Sequence, residues 1–219
     1  MEFQAILFDL DGTLLDTLAD IANAANRALR RLGFPTHPID TYRHFVGDGA
    51  GCLAARVLGD NNDDGEMLDL ARKTIAAEYR KCWAETTRPY PGIPELLAEL
   101  QTRGVPKVVL SNKPHDSTTA VVEHFFPDYN FQIVRGALPD VPVKPDPAGA
   151  FQIAGELGIE PQRFIYLGDT NTDMQTAVAA GMFGAGVLWG FRTAEELTAS
   201  GAKALLKEPH DLLTFLDGR

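Results

Sequence analysis

Short apolar runs that end in turn residues recur along the chain, and this pattern constrains its fold more than any other feature. Such runs are typical of short strands buried on both faces of a sheet. Between them, apolar residues repeat at helical spacing, as at Ile93, Leu96 and Leu100. Strands that alternate with helices predict an α/β fold with a doubly wound parallel sheet. The predicted strands are residues 5–8, 108–110, 131–134, 164–167 and 186–189.

The segment from residue 16 to residue 85 interrupts this alternation. It contains no run typical of a strand, but apolar residues repeat at helical spacing over 21–32 and 68–79. We therefore expect an inserted α-helical domain over residues 16–85 and a core domain formed by residues 1–15 and 86–219. Turns rich in glycine, proline or polar residues are predicted inside the insertion at 33–35, 47–51 and 59–65.

The acidic composition limits the classes of partner. Among 219 residues, 30 are Asp or Glu and 20 are Lys or Arg, which gives a formal net charge of −10 at pH 7. Such a surface repels phosphate backbones and anionic lipid headgroups, so we expect neither nucleic acid nor a membrane as partner. The chain lacks the roughly 18-residue apolar stretch of a spanning helix and the basic start of a secretory signal, so we expect a cytoplasmic protein. Its two cysteines and five histidines show no zinc-ligand spacing.

Two carboxylates, Asp9 and Asp11, follow the first predicted strand directly. In an extended chain, residues i and i+2 point to the same side, so both carboxylates are expected to face one site. Asp and Gly are also common turn residues, and Asp-x-Asp-Gly occurs in calcium-binding loops. An EF-hand is excluded, because no helix precedes Asp9 and the last ligand position of such a loop is Asp20. A catalytic pair and an ordinary turn both stay open at this point.

Two further predicted strands, 108–110 and 164–167, are also followed by polar residues. The carboxyl ends of parallel strands meet at one edge of an open α/β sheet, where ligands bind. Lys144, in a loop before another helix, adds a cation. Taken singly, each residue also fits a turn, a helix cap or a solvated surface. The residues expected to converge are Asp9, Asp11, Ser111, Asn112, Lys113, Lys144, Asp169 and Asp173.

The four aspartates of this converging set require a counter-ion. Four negative charges at one site destabilise the fold or force protonation unless cations compensate them. Ligands that are all oxygen favour Mg²⁺, which prefers a few carboxylates together with water and substrate phosphate. With Mg²⁺ and Lys144 as cations, the chemistry that fits is phosphoryl transfer to a carboxylate nucleophile. The glycine patterns of nucleotide P-loops and dinucleotide sites are absent from the sequence.

Four short motifs follow one another along the chain: Asp9-Leu10-Asp11-Gly12-Thr13, Ser111-Asn112, Lys144, and Gly168-Asp169 with Asp173. In this order they resemble the haloacid dehalogenase superfamily, and the resemblance covers essentially the whole chain. It implies a Rossmann-like core with an inserted α-helical cap domain. Asp11 points to the phosphatase branch, because the dehalogenases themselves lack this second aspartate.

The resemblance also implies a role for each motif residue. Asp9 is expected to be the nucleophile that forms an aspartyl-phosphate, and Asp11 the general acid and base. Ser111 is expected to bind the phosphoryl oxygens, and Lys144 to neutralise the pair formed by Asp9 and phosphate. The expected Mg²⁺ ligands are Asp9, the backbone carbonyl of Asp11, Asp169 and Asp173, the last orienting bound water or the metal shell. The expected substrate-binding residues are Gly12, Thr13, Ser111, Asn112 and Lys113.

Three segments, residues 44–49, 112–114 and 189–193, are similar to those of phosphoglycolate phosphatases. The expected reaction is Mg²⁺-dependent hydrolysis of a small phosphate monoester, with 2-phosphoglycolate as the favoured substrate. A sugar-phosphate phosphatase, a pyrophosphatase and a β-phosphoglucomutase-like mutase stay open, because they share the core motifs. A catalytically silent regulatory or binding protein is the alternative from another class. The candidate cations for the substrate carboxylate are Arg43, Arg56, Lys113 and Arg192.

Overall fold

The computed structural model of the protein describes residues 3–61 and 65–217. The chain divides into two compact units, one formed by Met1–Leu15 with Pro89–Arg219 and the other by Asp16–Arg88. The second boundary falls after Arg88, whereas the sequence places it after residue 85. Thr86 and Thr87 belong to the second unit because both donate hydrogen bonds to its Asp20 carboxylate.

A six-stranded sheet forms the centre of the first unit, and all its neighbouring strands are parallel. Together with the strands of a separate pair, its strands are, in chain order, β1 (Ala5–Phe8), β2 (Leu15–Asp16), β3 (Arg88–Pro89), β4 (Lys107–Pro114), β5 (Ile133–Ala137), β6 (Phe164–Gly168), β7 (Phe183–Val187) and β8 (Ala204–Leu206). The sheet order is β5-β4-β1-β6-β7-β8, and β2 pairs separately with β3. The chain winds from β1 through β4 to β5 and returns to the other side of β1, which confirms the doubly wound α/β fold.

Helices connect the strands and form the second unit. They are α1 (Leu18–Leu32), α2 (Tyr42–Phe45), α3 (Gly49–Leu58), α4 (Gly65–Cys82), α5 (Ile93–Thr102), α6 (His115–Phe125), α7 (Ala148–Leu157), α8 (Asn171–Ala180), α9 (Ala194–Ala199) and α10 (Asp211–Leu216). Leu7 and Tyr166 of the sheet share one buried cluster with Ile153 of α7 and Ala177 of α8. Burial of these apolar side chains fixes the strand ends from which the site is built. Within the described ranges, every helix is too short or too polar to cross a lipid bilayer.

The last two strands of the sheet differ from the predicted pattern. The run at 186–189 predicts a strand, but β7 begins at Phe183 and ends at Val187, and β8 has no counterpart among the predicted runs. Glycine conceals β7, since Gly184 and Gly186 interrupt its apolar pattern. A Cβ atom at Gly186 would lie 3.1 Å from side-chain atoms of both Leu197 and Leu205, so a larger residue there would force these side chains to shift. At the opposite edge, β5 begins two residues later than the predicted run at 131–134.

The helical unit consists of α1 to α4 with short 3₁₀ turns. Its predicted turn at 33–35 begins with Gly33, which ends α1 in the left-handed conformation. The predicted loop at 47–51 is wrong in its second half, because Gly49, Ala50 and Gly51 form the first turn of α3. Of the predicted polar loop at 59–65, residues 62–64 lie outside the described part of the chain.

Asp20, on α1, joins the start of the helical unit to its end. This fully buried carboxylate accepts hydrogen bonds from the backbone N–H groups and the hydroxyls of Thr86 and Thr87. Burial raises its pKa, but these hydrogen bonds outweigh burial and hold the pKa below its usual value.

Asp20→Asn is expected to lower the free energy of unfolding at pH 7 by about 1–3 kcal/mol, because an amide cannot accept all these hydrogen bonds. A lowered carboxyl pKa stabilises the fold above the unfolded-state pKa near about 4, and this contribution is lost as the pH falls through the folded-state pKa. Urea unfolding followed by circular dichroism at pH 7 and at pH 3 measures the difference. The gap between wild type and variant should narrow at pH 3, and a gap independent of pH would contradict this role.

Candidate active site

Three buried aspartates converge where β1 and β6 end. Phe8 pairs with Leu167 across these strands, and the Asp9 N–H donates to the Leu167 carbonyl at 2.9 Å. Asp9 and Asp169 therefore leave the sheet beside each other, and Asp173 lies in the first turn of α8. One carboxylate oxygen from each aspartate lies within 4.8 Å of the others. This cluster lies at the carboxyl edge of the sheet, where the strand pattern predicts it.

Lys144 supplies the cation of this cluster. Its Nζ donates to Asp9 Oδ1 at 2.8 Å and to Asp173 Oδ1 at 2.7 Å. Asn112 fixes the backbone of Lys144, because its amide donates to the Lys144 carbonyl at 3.0 Å and accepts from the Lys144 N–H at 2.8 Å. The side chain of Asn112, on β4, thus binds the loop that carries Lys144. The expected contact between Asn112 and substrate stays a prediction.

Asp173 is a helix cap as well as a member of the cluster. Its Oδ2 accepts from the N–H of Thr170 at 3.0 Å and the Thr170 hydroxyl oxygen accepts from the Asp173 N–H at 3.4 Å, which forms a capping box on α8. Its Oδ1 accepts from the Tyr166 hydroxyl at 3.2 Å as well as from Lys144. Sequence reasoning missed Tyr166 and Thr170, although the spacing of Thr170 and Asp173 is a recognisable capping signal. These bonds fix the Asp173 carboxylate.

Asp169 is held by residues on both sides. Its Oδ1 accepts from the Thr13 hydroxyl and its Oδ2 from the N–H of Phe191, each at 2.9 Å. The indole N–H of Trp189 donates to the Thr13 carbonyl at 2.9 Å. Two glycines allow this close approach, because a Cβ at Gly12 or at Gly190 would lie 2.2 Å from an atom of Asp169. The segment after β7 therefore orients Asp169, a role that its sequence did not indicate.

Burial raises the pKa of two aspartates in this cluster. Burial and the neighbouring Asp173 raise the pKa of Asp9 to about 7, although Lys144 opposes the shift. Burial, Asp173 and Asp9 likewise raise the pKa of Asp169 well above its usual value. Burial lowers the pKa of Lys144, but the attraction of Asp173 and Asp9 outweighs burial and raises it. Three carboxylates against one ammonium leave excess negative charge, so the oxygen donors fit a divalent cation such as Mg²⁺.

Gly190→Ala is expected to weaken binding of a divalent cation by about 10-fold or more, because the added methyl group displaces Asp169. The dissociation constant for Mn²⁺, measured by electron paramagnetic resonance, gives a readout that does not depend on catalysis. Gly155→Ala is the matched control, since apart from its chain neighbours and its own helix backbone no described atom lies within 4 Å of a Cβ at Gly155. An unchanged Mn²⁺ affinity in Gly190→Ala would show that this segment does not orient Asp169.

Asp11, Ser111 and Lys113 form a second group of predicted residues. The Lys113 ammonium donates to both carboxylate oxygens of Asp11, each at 2.9 Å. Ser111 is buried on β4 and its hydroxyl accepts from the Lys113 N–H at 3.3 Å. Asp11 thus directs its side chain to Lys113, and the expected metal contact of its backbone carbonyl stays a prediction.

The other candidate cations each have an acidic partner. Arg56 donates in addition to the carbonyl of Phe45 at 3.0 Å and so holds the turn before α3. A contact between any of these arginines and a substrate carboxylate stays a prediction. The pairs are Arg43 with Asp40, Arg56 with Asp48, and Arg192 with Glu196.

The family of the chain follows from comparison with known proteins. The family model of haloacid dehalogenase-like hydrolases matches residues 6–187, so the chain belongs to this family. A phosphoglycolate phosphatase of Haemophilus influenzae is 30% identical over 221 residues, which covers 98% of this chain and 99% of that protein. One from Neisseria gonorrhoeae is 35% identical over 193 residues, covering 86% and 81% respectively. The chain lies in the phosphoglycolate phosphatase-like branch and is a phosphatase, which confirms the expected enzyme class.

Solved structures show the same architecture. A protein of Haemophilus somnus, described as a predicted phosphoglycolate phosphatase, aligns with a TM-score of 0.90 at 26% identity, covering 98% of each chain. CbbY from Rhodobacter sphaeroides, solved in complex with phosphate, aligns with a TM-score of 0.82 at 26% identity, covering 98% of this chain and 99% of that one. The fold is therefore that of known haloacid dehalogenase-like proteins.

Proposed function

We propose that the protein is a Mg²⁺-dependent phosphomonoesterase that acts through an aspartyl-phosphate on Asp9. The observation that carries this proposal is the environment of Asp9. This carboxylate is buried, pairs with Lys144 through one oxygen, and lies within the cluster formed with Asp169 and Asp173. A carboxylate beside a fixed ammonium and a site for a divalent cation is suited to attack a phosphoryl group.

In the first half of the proposed reaction, an oxygen of Asp9 attacks the phosphorus atom of the monoester. A bond forms between Asp9 and phosphorus as the bond from phosphorus to the ester oxygen breaks, and Asp11 gives a proton to the departing oxygen. In the second half, Asp11 takes a proton from water, which attacks phosphorus and releases inorganic phosphate and the free Asp9 carboxylate. Asp11 thus returns to its starting form after each turnover.

Other residues of the site are proposed to stabilise the negative charge on Asp9 and on the phosphoryl oxygens. Lys144 lies where it can neutralise charge on Asp9 and the attached phosphate, and the Ser111 hydroxyl is the proposed donor to phosphoryl oxygens. The backbone N–H groups of Gly12 and Thr13, expected as further donors, instead donate to the carbonyls of Leu15 at 2.8 Å and Leu10 at 3.3 Å. Bound Mg²⁺ would neutralise phosphate charge and be held by Asp9, Asp169, Asp173 and the backbone carbonyl of Asp11.

The proposed substrate is 2-phosphoglycolate. The relatives that support this choice are named phosphoglycolate phosphatases and match nearly the full chain, and CbbY holds phosphate on a similar fold. Sugar-phosphate hydrolysis, pyrophosphate hydrolysis and mutase chemistry share the same core residues and are separated by the substrate test. Cytoplasmic location and the lack of nucleic-acid and membrane partners stay predictions from composition.

The test is phosphate release from a panel of monoesters that includes 2-phosphoglycolate, glucose phosphates, pyrophosphate and 4-nitrophenyl phosphate, with Mg²⁺ or with EDTA. The proposal expects a clear preference for 2-phosphoglycolate and loss of activity in EDTA that Mg²⁺ restores. Broad, weak activity would contradict the substrate and keep the reaction class. Isomer formation with little phosphate release would favour the mutase.

A further inference from the structure

Lys113 holds the carboxyl group of Asp11 in one orientation. Its Nζ donates to Oδ1 and to Oδ2, each at 2.9 Å. Only 7% of the Lys113 side chain and 12% of the Asp11 side chain are exposed, so solvent screens this pair weakly. An ammonium bonded to both oxygens of a carboxylate opposes rotation of the carboxyl group. The position of the Asp11 oxygens therefore depends on Lys113.

The backbone of Lys113 is itself fixed. Lys113 lies near the end of β4, and its carbonyl accepts from the Thr118 hydroxyl at 3.1 Å. A Cβ at Gly136 would lie 2.5 Å from the same carbonyl, so β5 packs directly against it. Ser111 lies two residues earlier, and its hydroxyl accepts from the Lys113 N–H at 3.3 Å. Contacts on both sides therefore hold the Lys113 backbone beside the proposed phosphate ligand Ser111.

The pairing also bears on the expected contact between Lys113 and substrate. If the ammonium turned to a substrate carboxylate, the Asp11 carboxylate that forms as the proton passes to the leaving oxygen would lack its cation. Removing one partner of such a pair is strongly unfavourable, because the remaining charge is uncompensated. The geometry therefore favours a role through Asp11 over a direct role in substrate recognition.

We propose that Lys113 is a positioning residue that orients Asp11 for proton transfer to the leaving group. This inference rests on the proposed function in one respect, namely that Asp11 is the general acid. General acid catalysis matters most when the departing oxygen is strongly basic, as in an alkyl phosphate, and least when it departs as nitrophenolate. The effect of losing Lys113 should therefore depend on the leaving group.

The experiment compares Lys113→Met and Lys113→Arg on three substrates: 2-phosphoglycolate, ethyl phosphate and 4-nitrophenyl phosphate. Because kcat/KM reports the steps through release of the alcohol, we expect Lys113→Met to lower kcat/KM about 100-fold for both alkyl phosphates and less than about 5-fold for the nitrophenyl ester. Lys113→Arg should recover most of the loss, since a guanidinium also bonds both oxygens of a carboxylate. Lys207→Met, at an exposed lysine, is the matched control.

Two results would overturn the proposal. A loss confined to 2-phosphoglycolate would make Lys113 a ligand of the substrate carboxylate, and an equal loss on all three substrates would give it a merely structural role. A double-mutant cycle tests the same point: adding Lys113→Met to Asp11→Asn should cause little further loss if Lys113 acts through Asp11. If the unmodified protein releases no phosphate from 2-phosphoglycolate, the proposed substrate fails, and the other two esters still test Lys113.

Discussion

Asp9→Asn is expected to lower phosphate release by about 10⁴-fold or more, the largest effect of any single substitution in the site. The amide has nearly the shape of the carboxylate but is not a nucleophile, so the chemical step is lost while the packing is kept. Initial rates with saturating 2-phosphoglycolate and Mg²⁺ measure the loss. Asp128→Asn, at an exposed aspartate, is the matched control and should retain full activity.

Retention of more than about a tenth of the activity in Asp9→Asn would be incompatible with Asp9 as nucleophile. Slow deamidation of the new Asn would restore the carboxylate and imitate such a result. Mass spectrometry of the peptide around residue 9, before and after the assay, separates the two explanations.

Lys144→Met is expected to lower the free energy of unfolding at pH 7 by about 3–5 kcal/mol, because it leaves Asp9 and Asp173 buried without their cation. Activity should fall as well, since Lys144 lies against the proposed nucleophile. Urea unfolding in EDTA measures the change in stability, with Lys207→Met as the control lysine.

The destabilisation in Lys144→Met has a defined pH dependence. Burial and repulsion hold the folded-state pKa of Asp9 above its unfolded value, so its ionised form destabilises the fold as the pH rises. Protonation relieves this repulsion, and the difference between wild type and Lys144→Met should shrink from pH 8 to pH 5. A difference that grows over this interval would contradict the account of the cluster.

The parts of the fold that depend on buried apolar strands were predictable from the sequence. β1 and β6 are uninterrupted apolar runs, because both faces of these strands are covered. Their ends bring Asp9 and Asp169 together, as parallel pairing requires. The glycine-rich β7 was misplaced because its packing against Leu197 and Leu205 selects small residues that carry no apolar signal.

The partners of the site residues could not be predicted in the same way. The pair of Lys113 with Asp11 joins residues 102 positions apart, and the bond from Phe191 to Asp169 comes from the segment after β7. Such contacts depend on strand register and on close backbone approach at Gly12 and Gly190, which no local pattern records. Motif spacing indicated which residues meet but not which of them orient the others.

The central claim is that phosphate is carried on Asp9, and trapping of the phosphorylated enzyme tests it most directly. The enzyme is mixed with 2-phosphoglycolate and Mg²⁺, quenched in acid during turnover and reduced with borohydride, which converts an aspartyl-phosphate into homoserine. Peptide mapping should find homoserine at position 9 in the wild type, and neither in Asp9→Asn nor without substrate. Turnover with no modified residue, or with the modification on another aspartate, would contradict the account.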